Sequence, residues 1–433
     1  MGPMMSPREA AGLRLTAGER VYRAVSPGAF ALVWLLARAA GTPRNELGCR
    51  TGAMPKASGP LFWFHGASAG EMAAALRLTM LLRQHGQCFT GAYTAANRAG
   101  VELATCAATP GSITAFGPWD HPRWVARAFD QWRPQAIFLV ETELWPGLIF
   151  EAYRRHVPIV CVSARIYARD FLRYRLVRGL TATMLGRLTG ILSQNEIERE
   201  RLLALGAPVD RCVAAGNLKY LRTHTATRGT HSLREALGLR PGDQVIVCGS
   251  VHRDEVPLLF AALSRQMSPD LHAIIAPRHP SAIATIVREA QHRGWICHLH
   301  TGAPPPPSWQ VLVLGAMGQL ADAYAMASLA VVGGGLRKHG GHNPFEPVML
   351  GVPVIFGRYS ENFEPEMRAL TALVPEAQVA DASELAARIH EWLGSETRRR
   401  QVAALQQQAL PNATDIATRY IAALSCWLPG TWA

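Results

Sequence analysis

The stretch FWFHGASAGE, residues Phe62 to Glu71, passes from apolar residues through a run of small residues to a single carboxylate. The amphipathic pattern EMAAALRLTMLLRQHG begins at Glu71, so the sequence predicts a strand, a tight turn and a helix in succession. Glycine and alanine let a turn approach a ligand closely, and the free N–H groups at a helix start favour anions. A carboxylate in a first helical turn is ordinarily a cap, and the stretch alone favours that role for Glu71.

The same succession of strand and helix recurs along both halves of the chain. In the first half the predicted strands are Leu61–His65, Phe89–Thr94, Ile113–Phe116, Ala136–Val140, Pro158–Ser163, Gly190–Ser193 and Cys212–Ala215. In the second half they are Gln244–Cys248, Ala273–Ala276, Val311–Leu314, Leu329–Val332 and Val352–Phe356. Because amphipathic stretches of helical length separate these strands, the pattern indicates βαβ units and parallel sheets.

The length of 433 residues exceeds what one hydrophobic core usually supports, so we expect two doubly wound α/β domains. The polar stretch Arg222–Ser232 separates them, which predicts domains at 51–222 and 233–410, an N-terminal segment at 1–50 and a C-terminal helix or tail at 411–433. Ligands of such sheets bind beyond the carboxyl ends of the strands, so two facing domains would form a central cleft.

The composition is that of a globular protein with a net charge of +12, which favours an anionic partner such as nucleic acid, phospholipid or a phosphorylated substrate. The sequence has no helix-turn-helix pattern, finger spacing or aromatic RNA-binding signature, which argues against nucleic acid. Its eight cysteines include no short-spaced pair, so we expect no metal site and a reducing, cytoplasmic setting.

An apolar segment near the N-terminus, AVSPGAFALVWLLA, lies between Arg23 and Arg38 and is interrupted by Pro27 and Gly28. It is short for a bilayer span and lacks a secretory cleavage site. Flanking arginines suit an anchor on a membrane surface. A buried first helix is an equally good interpretation from the segment itself.

Two further motifs of the first half place charged side chains at strand ends. LVETELWPG puts Glu141 and Glu143 after a hydrophobic strand, and alternate residues of an extended segment share a face, so both acids could point into one cleft. The alternative is a solvated loop beside a buried Trp145. AAGNLKY supplies Lys219, which could stabilise a negative group, although a surface lysine is the ordinary interpretation.

The second half contains the densest candidate site. IIAPRHP ends a predicted strand in Arg278 and His279, and the planar guanidinium of arginine suits phosphate. VVGGGLRKHGGHNPFEP, residues Val331–Pro347, is a strand followed by glycine-rich turns, which expose N–H groups to phosphate. The run matches neither a Walker A motif nor a GxGxxG fingerprint, and His339 and His342 are too isolated to indicate a metal.

Together these motifs resemble one family, the 3-deoxy-D-manno-octulosonic acid (Kdo) transferases of lipid A assembly. The matching segments are HGASAGE, ETELWP, GNLK, PRHP, AMGQL, GGHNPFEP and VPVIFG…ENF. The resemblance runs from the apolar N-terminus to about Phe363, and the order and spacing of the segments make it specific.

The resemblance implies a GT-B glycosyltransferase with two Rossmann-like domains and an N-terminal membrane-associated helix, on the cytoplasmic face of the inner membrane. It would move Kdo from CMP-Kdo to the lipid A precursor with inversion and without a metal or other cofactor. Glu71 resembles the general base, and Glu141 and Lys219 resemble the pair that stabilises the transition state. The substrate- or CMP-binding residues would be Ser68, Gly70, Pro277, Arg278, Met317, Gly318, Gln319, Gly333, Gly334, Gly335, Asn343, Pro344, Phe345 and Glu346.

Three positions on the donor side depart from the family pattern. Gln319 replaces the usual acid, Gly315 stands where aspartate is usual, and Gly335 replaces a serine. Two alternatives therefore stay open: a GT-B transferase that uses another nucleotide sugar, and a catalytically silent protein that binds the lipid A precursor.

Overall fold

The computed structural model describes residues 16–221, 230–300, 304–306, 308–315 and 319–428. The chain divides into two compact units, which we call unit 1 (Met1–Leu221 with Asn412–Ala433) and unit 2 (Arg222–Pro411). The C-terminal segment, predicted as a separate helix or tail, thus groups with unit 1.

Unit 1 is built on a parallel sheet with the strand order β3-β2-β1-β4-β5-β6-β7. Its strands are β1 (Leu61–Gly66), β2 (Thr90–Ala95), β3 (Ile113–Phe116), β4 (Ala136–Val140), β5 (Ile159–Ala164), β6 (Gly190–Ser193) and β7 (Cys212–Ala214). Its helices are α1 (Ala17–Ala39), α2 (Arg44–Arg50), α3 (Ala69–Gln84), α4 (Arg98–Ala107), α5 (Pro122–Trp132), α6 (Pro146–Arg154), α7 (Ala168–Leu176), α8 (Arg178–Arg187) and α9 (Glu196–Ala204).

Unit 2 contains a second parallel sheet with the order β10-β11-β9-β8-β12-β13-β14. Its strands are β8 (Gln244–Val251), β9 (Leu271–Pro277), β10 (Cys297–His300), β11 (Val311–Leu314), β12 (Leu329–Val332), β13 (Val354–Gly357) and β14 (Gln378–Val379). Its helices are α10 (Thr230–Ala236), α11 (Val256–Leu263), α12 (Ile283–His292), α13 (Leu320–Ala325), α14 (Phe345–Met349), α15 (Glu364–Leu373), α16 (Ala382–Gly394) and α17 (Glu396–Gln407), and α18 (Ala413–Trp427) follows in unit 1.

These two sheets confirm the predicted fold class of two doubly wound α/β domains. The central strands were predicted because strands buried on both faces read as continuous apolar runs. The pattern missed β10, in which two of the four residues CHLH are histidine, and the two-residue β14. In unit 1 the strand order reverses between β1 and β4, and in unit 2 between β8 and β12. Ligand sites are expected at the carboxyl ends of these strand pairs.

Buried aromatic side chains fix the β1 side of the unit 1 core. The Trp63 ring packs edge-on against Phe129 at 5.5 Å and Trp132 at 5.0 Å between centroids. Its Nε1 donates to Thr94 Oγ1 at 2.7 Å, so the polar atom of this fully buried ring has a partner. Such aromatic pairs each contribute about 0.5–1.5 kcal/mol to stability beyond the burial of their surface. They hold β1, the strand that leads to Glu71, in place.

Helix α1 is continuous through Pro27, and its first turns pack on the rest of unit 1. Glu19 is buried and pairs with Arg187 of α8 at 2.8 Å. Six large apolar residues of the helix are nevertheless exposed: Val21, Val25, Leu32, Val33, Leu35 and Leu36. The interpretation as a buried first helix is therefore wrong for most of α1. None of the helices in the described ranges combines the length and the hydropathy that crossing a bilayer requires.

A buried carboxylate joins α1 to the start of α6. Asp120 accepts the N–H groups of Gly147 and Leu148 at 2.8 and 2.9 Å, and the Tyr22 hydroxyl also donates to it. The N-terminal N–H groups of a helix lack intrahelical acceptors, so Asp120 supplies the cap that Trp145, the residue before α6, does not.

We expect Asp120→Ala to destabilise unit 1, because it leaves the Gly147 and Leu148 N–H groups buried without an acceptor, at about 1–3 kcal/mol each. Urea unfolding followed by tryptophan fluorescence measures the loss. Asp130→Ala is the matched control, since this aspartate pairs with Arg155 on the surface and its loss should cost about 0–1 kcal/mol. Equal losses in the two variants would contradict the capping role.

Candidate active site

The turn after β1 places Glu71 in the first turn of α3. Ser68 is the N-cap of this helix, and its hydroxyl donates to Glu71 Oε1 at 3.1 Å. The N–H group of Ala67 donates to Glu71 Oε2. Gly66 leaves room for this arrangement, since a Cβ at that position would lie 2.9 Å from Glu71 Cβ. The carboxylate thus folds back over the turn, close to a capping box.

The environment of Glu71 raises the pKa of its carboxyl group to about 7. Burial is the largest cause, and the negative charges of Glu143 and Glu141 add to it, against the lowering effect of the Ala67 N–H group. A general base works best when its pKa lies near the operating pH. The carboxyl group is therefore poised to take a proton at neutral pH, and it caps the turn at the same time.

Glu141 and Lys219 form an ion pair beside this turn. Lys219 Nζ lies 2.5 Å from Glu141 Oε1, and a Cβ on Gly70 would lie 3.7 Å from the same Nζ. Glu141 directly follows β4 in a left-handed conformation with φ 59°. Burial is the largest single influence on the pKa of Lys219 and acts to lower it, but the negative charge of Glu141 and the hydrogen bond to it act together with smaller contributions to raise that pKa overall. Lys219 is therefore a paired, charged group at the site and not a free surface lysine.

Glu143 contacts different side chains from those that contact Glu141. Its Oε2 accepts from Trp145 Nε1 at 2.6 Å and lies 3.9 Å from His65 Nε2. Burial raises the pKa of Glu143. Burial, with the charge of Arg50, lowers the pKa of His65 to about 4, so the imidazole is neutral at pH 7. The carboxyl groups of Glu141 and Glu143 therefore have different partners, although both act on Glu71.

In unit 2 the glycine-rich loop after β12 is held by Glu255, a residue that the sequence did not single out. This fully buried carboxylate accepts the N–H groups of Gly334 at 2.8 Å, Leu336 at 3.0 Å and Arg337 at 3.2 Å. The sequence signal was an acid directly before the helix that follows β8, whereas Glu71 lies within the first turn of the helix that follows β1.

The role predicted for Gly333 and Gly334, donation of N–H groups to phosphate, is wrong. The Gly333 N–H donates to Gly249 O at 2.9 Å and the Gly334 N–H to Glu255. The glycines instead permit close packing, since a Cβ on Gly333 would lie 2.6 Å from Ser250 O and one on Gly335 would lie 3.0 Å from Gly357 O.

The other residues predicted to bind the nucleotide-sugar donor lie near the carboxyl ends of the unit 2 strands. Arg278 follows Pro277, the last residue of β9, with an exposed side chain. Asn343 Oδ1 accepts from Phe345 N at 3.1 Å, and its Nδ2 lies 3.5 Å from Glu346 Oε1, where α14 begins after Pro344.

Gln319 precedes α13, and its Oε1 is buried without a hydrogen-bond partner among the described residues. Met317 and Gly318 lie outside the described residues.

A cavity of about 440 Å³ in unit 2 has His279, the residue after Arg278, and Asp254 in its lining. Its lining includes Arg253, Arg288 and three imidazoles, His252, His279 and His339. His339 Nε2 lies 2.8 Å from Asp254 Oδ1, and its ring stacks on His252. Within the described ranges no group of three or more His, Cys, Asp or Glu side chains is arranged to hold a metal ion.

The architecture defines the class of the protein as the GT-B type of α/β protein. The UDP-GlcNAc 2-epimerase of Neisseria meningitidis is similar with a TM-score of 0.58 and 12% identity, over 84% of this chain and 98% of that one. Anabaena HepE in complex with UDP and glucose has a TM-score of 0.58 and 13% identity, over 85% of this chain and all of that one. At these identities the likeness shows the fold alone.

The family follows from the sequence. The model of the 3-deoxy-D-manno-octulosonic acid transferase (kdotransferase) family matches residues 44–222. The 3-deoxy-D-manno-octulosonic acid transferase of Haemophilus influenzae is 31% identical over 357 residues, which are 79% of this chain and 82% of the relative. That of Chlamydia muridarum is 28% identical, over 70% of this chain and 71% of the relative. The chain belongs to the Kdo transferase family and is a glycosyltransferase.

The raised pKa of Glu71 predicts a pH dependence of stability. Its folded-state pKa of about 7 lies above the ordinary value of 4.5, so the stabilising contribution is complete below 4.5 and is lost as pH rises through 7. Glu71→Gln cannot ionise. We therefore expect the melting temperature of this variant, relative to the native protein, to rise between pH 5 and pH 7.5.

Glu102→Gln, which changes an exposed glutamate of α4, is the control and should leave the relative melting temperature constant across this range. A constant difference for Glu71→Gln as well would show that Glu71 has no raised pKa.

Proposed function

We propose that this protein transfers Kdo from CMP-Kdo to the lipid A precursor, with inversion at the anomeric carbon. The observation that supports it most strongly is the Glu71 carboxyl group, with a pKa near 7, beside the Glu141–Lys219 ion pair. Family membership supplies the sugar, and sugar transfer to a hydroxyl group needs a base of this kind.

In the proposed reaction Glu71 takes the proton of an acceptor hydroxyl group. The hydroxyl oxygen forms a bond to the anomeric carbon of Kdo, the bond from that carbon to the phosphate oxygen breaks, and CMP leaves with the electron pair. Lys219 stays charged because Glu141 raises its pKa, so it offers a fixed positive charge to negative charge that develops in the transition state. Preorganised charges of this kind are usually the largest electrostatic contribution to catalysis.

Unit 2 supplies groups suited to an anionic nucleotide donor. The Arg278 side chain is exposed at the end of β9, and the next residue, His279, lines a cavity together with Arg253 and Arg288. Gln319 Oε1 has no partner among the described residues and can accept a hydrogen bond from a ligand. Because side chains carry this positive charge, we propose that transfer is independent of metal. The departures at Gln319 and Gly335 leave another nucleotide sugar as the second candidate donor.

The decisive assay incubates the protein with CMP-Kdo and the lipid A precursor in the presence of EDTA, and detects products by mass spectrometry. We expect one or more Kdo additions, and we expect Glu71→Gln to lower kcat by about 100-fold or more, the usual contribution of a general base. Glu102→Gln should match the native rate.

The other outcomes discriminate between the alternatives. Turnover with a UDP-linked sugar and none with CMP-Kdo would show that the donor substrate is the UDP-linked sugar. Binding of the lipid A precursor without turnover of any donor would identify a silent binding protein. A native rate in Glu71→Gln would show that Glu71 is not the general base.

We also propose that unit 1 contacts the anionic cytoplasmic surface of the inner membrane. The exposed apolar residues of α1 have a counterpart in Leu172 and Leu176 of α7 and in Val177. Exposed arginines accompany both segments: Arg20 and Arg38 in α1, and Arg173, Arg175 and Arg178 near α7. Apolar residues bordered by arginine suit an anionic lipid surface.

The packing of α1 links these two segments. Gly18 of α1 lies against α8, since a Cβ there would be 3.3 Å from Leu180 Cβ. Helix α8 begins at Arg178, directly after Val177. Helix α8 thus contacts the start of α1 and directly follows Val177, and we propose on this basis that the exposed residues of α1 and α7 belong to one membrane surface.

Vesicle flotation tests this surface. We expect binding to vesicles with 30% anionic lipid and at least about tenfold weaker binding of the double variant Leu172→Glu/Leu176→Glu, because burial of each leucine contributes about 1.5–3 kcal/mol. Val209→Glu, at an exposed apolar residue elsewhere in unit 1, is the control and should bind normally. Equal binding of all three proteins would exclude α7 from the surface.

A further inference from the structure

We propose that Ser163, near the end of β5, and Tyr420, in α18, are positioning residues that place the Lys219 amine against Glu141. The inference rests on the proposed function and names two residues on which its charged pair depends. Neither side chain is placed at the reacting atoms; both act through the backbone of the GNLK turn.

Ser163 interrupts the regular ladder of β5. The register with β6 shifts between Val162 and Ala164, and Ser163 is fully buried in a left-handed conformation with φ 54°. A buried N–H group at such a bulge needs a partner from outside the ladder. It donates to the Tyr420 hydroxyl at 2.9 Å.

The Ser163 side chain is hydrogen-bonded to the turn that precedes Lys219. Its hydroxyl donates to Asn217 Oδ1 at 3.2 Å and accepts from Leu218 N at 3.3 Å. Asn217 Oδ1 in turn accepts from Lys219 N at 2.9 Å and caps the short 3₁₀ helix Leu218–Tyr220. The backbone of Lys219 is therefore one hydrogen bond from Asn217 and two from Ser163.

Tyr420 also holds the other side of the turn. Its hydroxyl donates to Gly216 O at 3.1 Å while it accepts from Ser163 N. Gly216 has φ 105°, and a Cβ there would lie 2.6 Å from Ile416 Cγ1, one turn before Tyr420 in α18. The turn is thus fixed between α18 and the end of β5, and one hydroxyl group bonds to both β5 and the turn.

The placement of Lys219 therefore depends on residues that enter unit 1 only after the chain has completed unit 2. Without the Tyr420 hydroxyl the fully buried Ser163 N–H and the partly buried Gly216 carbonyl lose their shared partner. Polar groups left in this state drive rearrangement of the backbone that contains them. The backbone concerned is the one that aims Lys219 at Glu141.

The kinetic test uses Tyr420→Phe and Ser163→Gly. Phenylalanine removes only the hydroxyl group, and glycine adopts φ 54° without strain while it removes the serine hydroxyl. We expect each to lower kcat for Kdo transfer by at least about tenfold, since small misplacements at a site cost up to about 100-fold, with KM values for both substrates within about threefold. A native kcat in either variant would overturn the proposal for that residue.

Tyr93→Phe is the matched control for a purely structural role. Tyr93 is a buried tyrosine of unit 1 whose hydroxyl donates to Thr79 Oγ1 at 2.8 Å, eight residues along α3 from Glu71. It should lower the melting temperature about as much as Tyr420→Phe does and leave kcat unchanged. The same loss of kcat in both variants would show that Tyr420→Phe acts through lower stability and not through the position of Lys219.

A readout without turnover follows from the lysine content, because the chain has three lysines, Lys56, Lys219 and Lys338. Protein labelled with ¹³C at lysine Cε can be titrated by NMR, with Lys56→Arg and Lys338→Arg to assign the signals. The pairing with Glu141 raises the pKa of Lys219, so displacement should lower the titration midpoint in Tyr420→Phe and Ser163→Gly but not in Tyr93→Phe.

An unchanged titration midpoint of Lys219 in both test variants would contradict the positioning role even if Kdo transfer is observed. If the native protein transfers no sugar, the proposed function fails while the titration still decides the positioning of Lys219.

Discussion

Buried backbone N–H groups at the turns between strands and helices are the constraint on which the rest of this structure depends. An N–H group in such a turn has left its ladder and needs another acceptor, or it costs free energy. At three of these turns a carboxylate is the acceptor: Asp120 for Gly147 and Leu148, Glu71 for Ala67, and Glu255 for the loop at Gly334. The structural need for acceptors therefore concentrates acids at the sheet edges where ligands of doubly wound folds bind.

That concentration of acids has an electrostatic consequence in unit 1. Burial is the main reason that the pKa of Glu71 rises to about 7 and that the pKa of Glu143 rises as well. The negative charges of Glu141 and Glu143 add to the effect on Glu71, and that of Glu141 adds to the effect on Glu143. Glu141 has a different partner, because Lys219 lies 2.5 Å away. One group of acids thus supplies both a carboxyl group that can accept a proton near neutral pH and a charged pair.

The two units meet the same constraint with different chemistry. In unit 1 the acid after β1 lies in the turn that it caps, and its carboxyl group stays close to Lys219 and the other glutamates. In unit 2 the acid after β8, Glu255, is fully buried and occupied by four N–H groups, those of His252, Gly334, Leu336 and Arg337. It therefore shapes the glycine-rich loop, whereas the Arg278 side chain at the end of β9 is exposed.

The sequence by itself determined the α/β class, the central strands of both sheets, and the placement of Glu71 and Glu141 after β1 and β4. These features are local, because an apolar run or a turn of small residues reports its own burial and backbone conformation. Only the tertiary structure decided the partners: Lys219 for Glu141, Glu255 for the glycine-rich loop, and Tyr420 for Ser163. The residues of each pair are separated by 78, 79 and 257 positions in the chain. A pattern along the sequence cannot select such partners, because an acceptor is chosen by which distant segments the folded chain brings within about 3 Å.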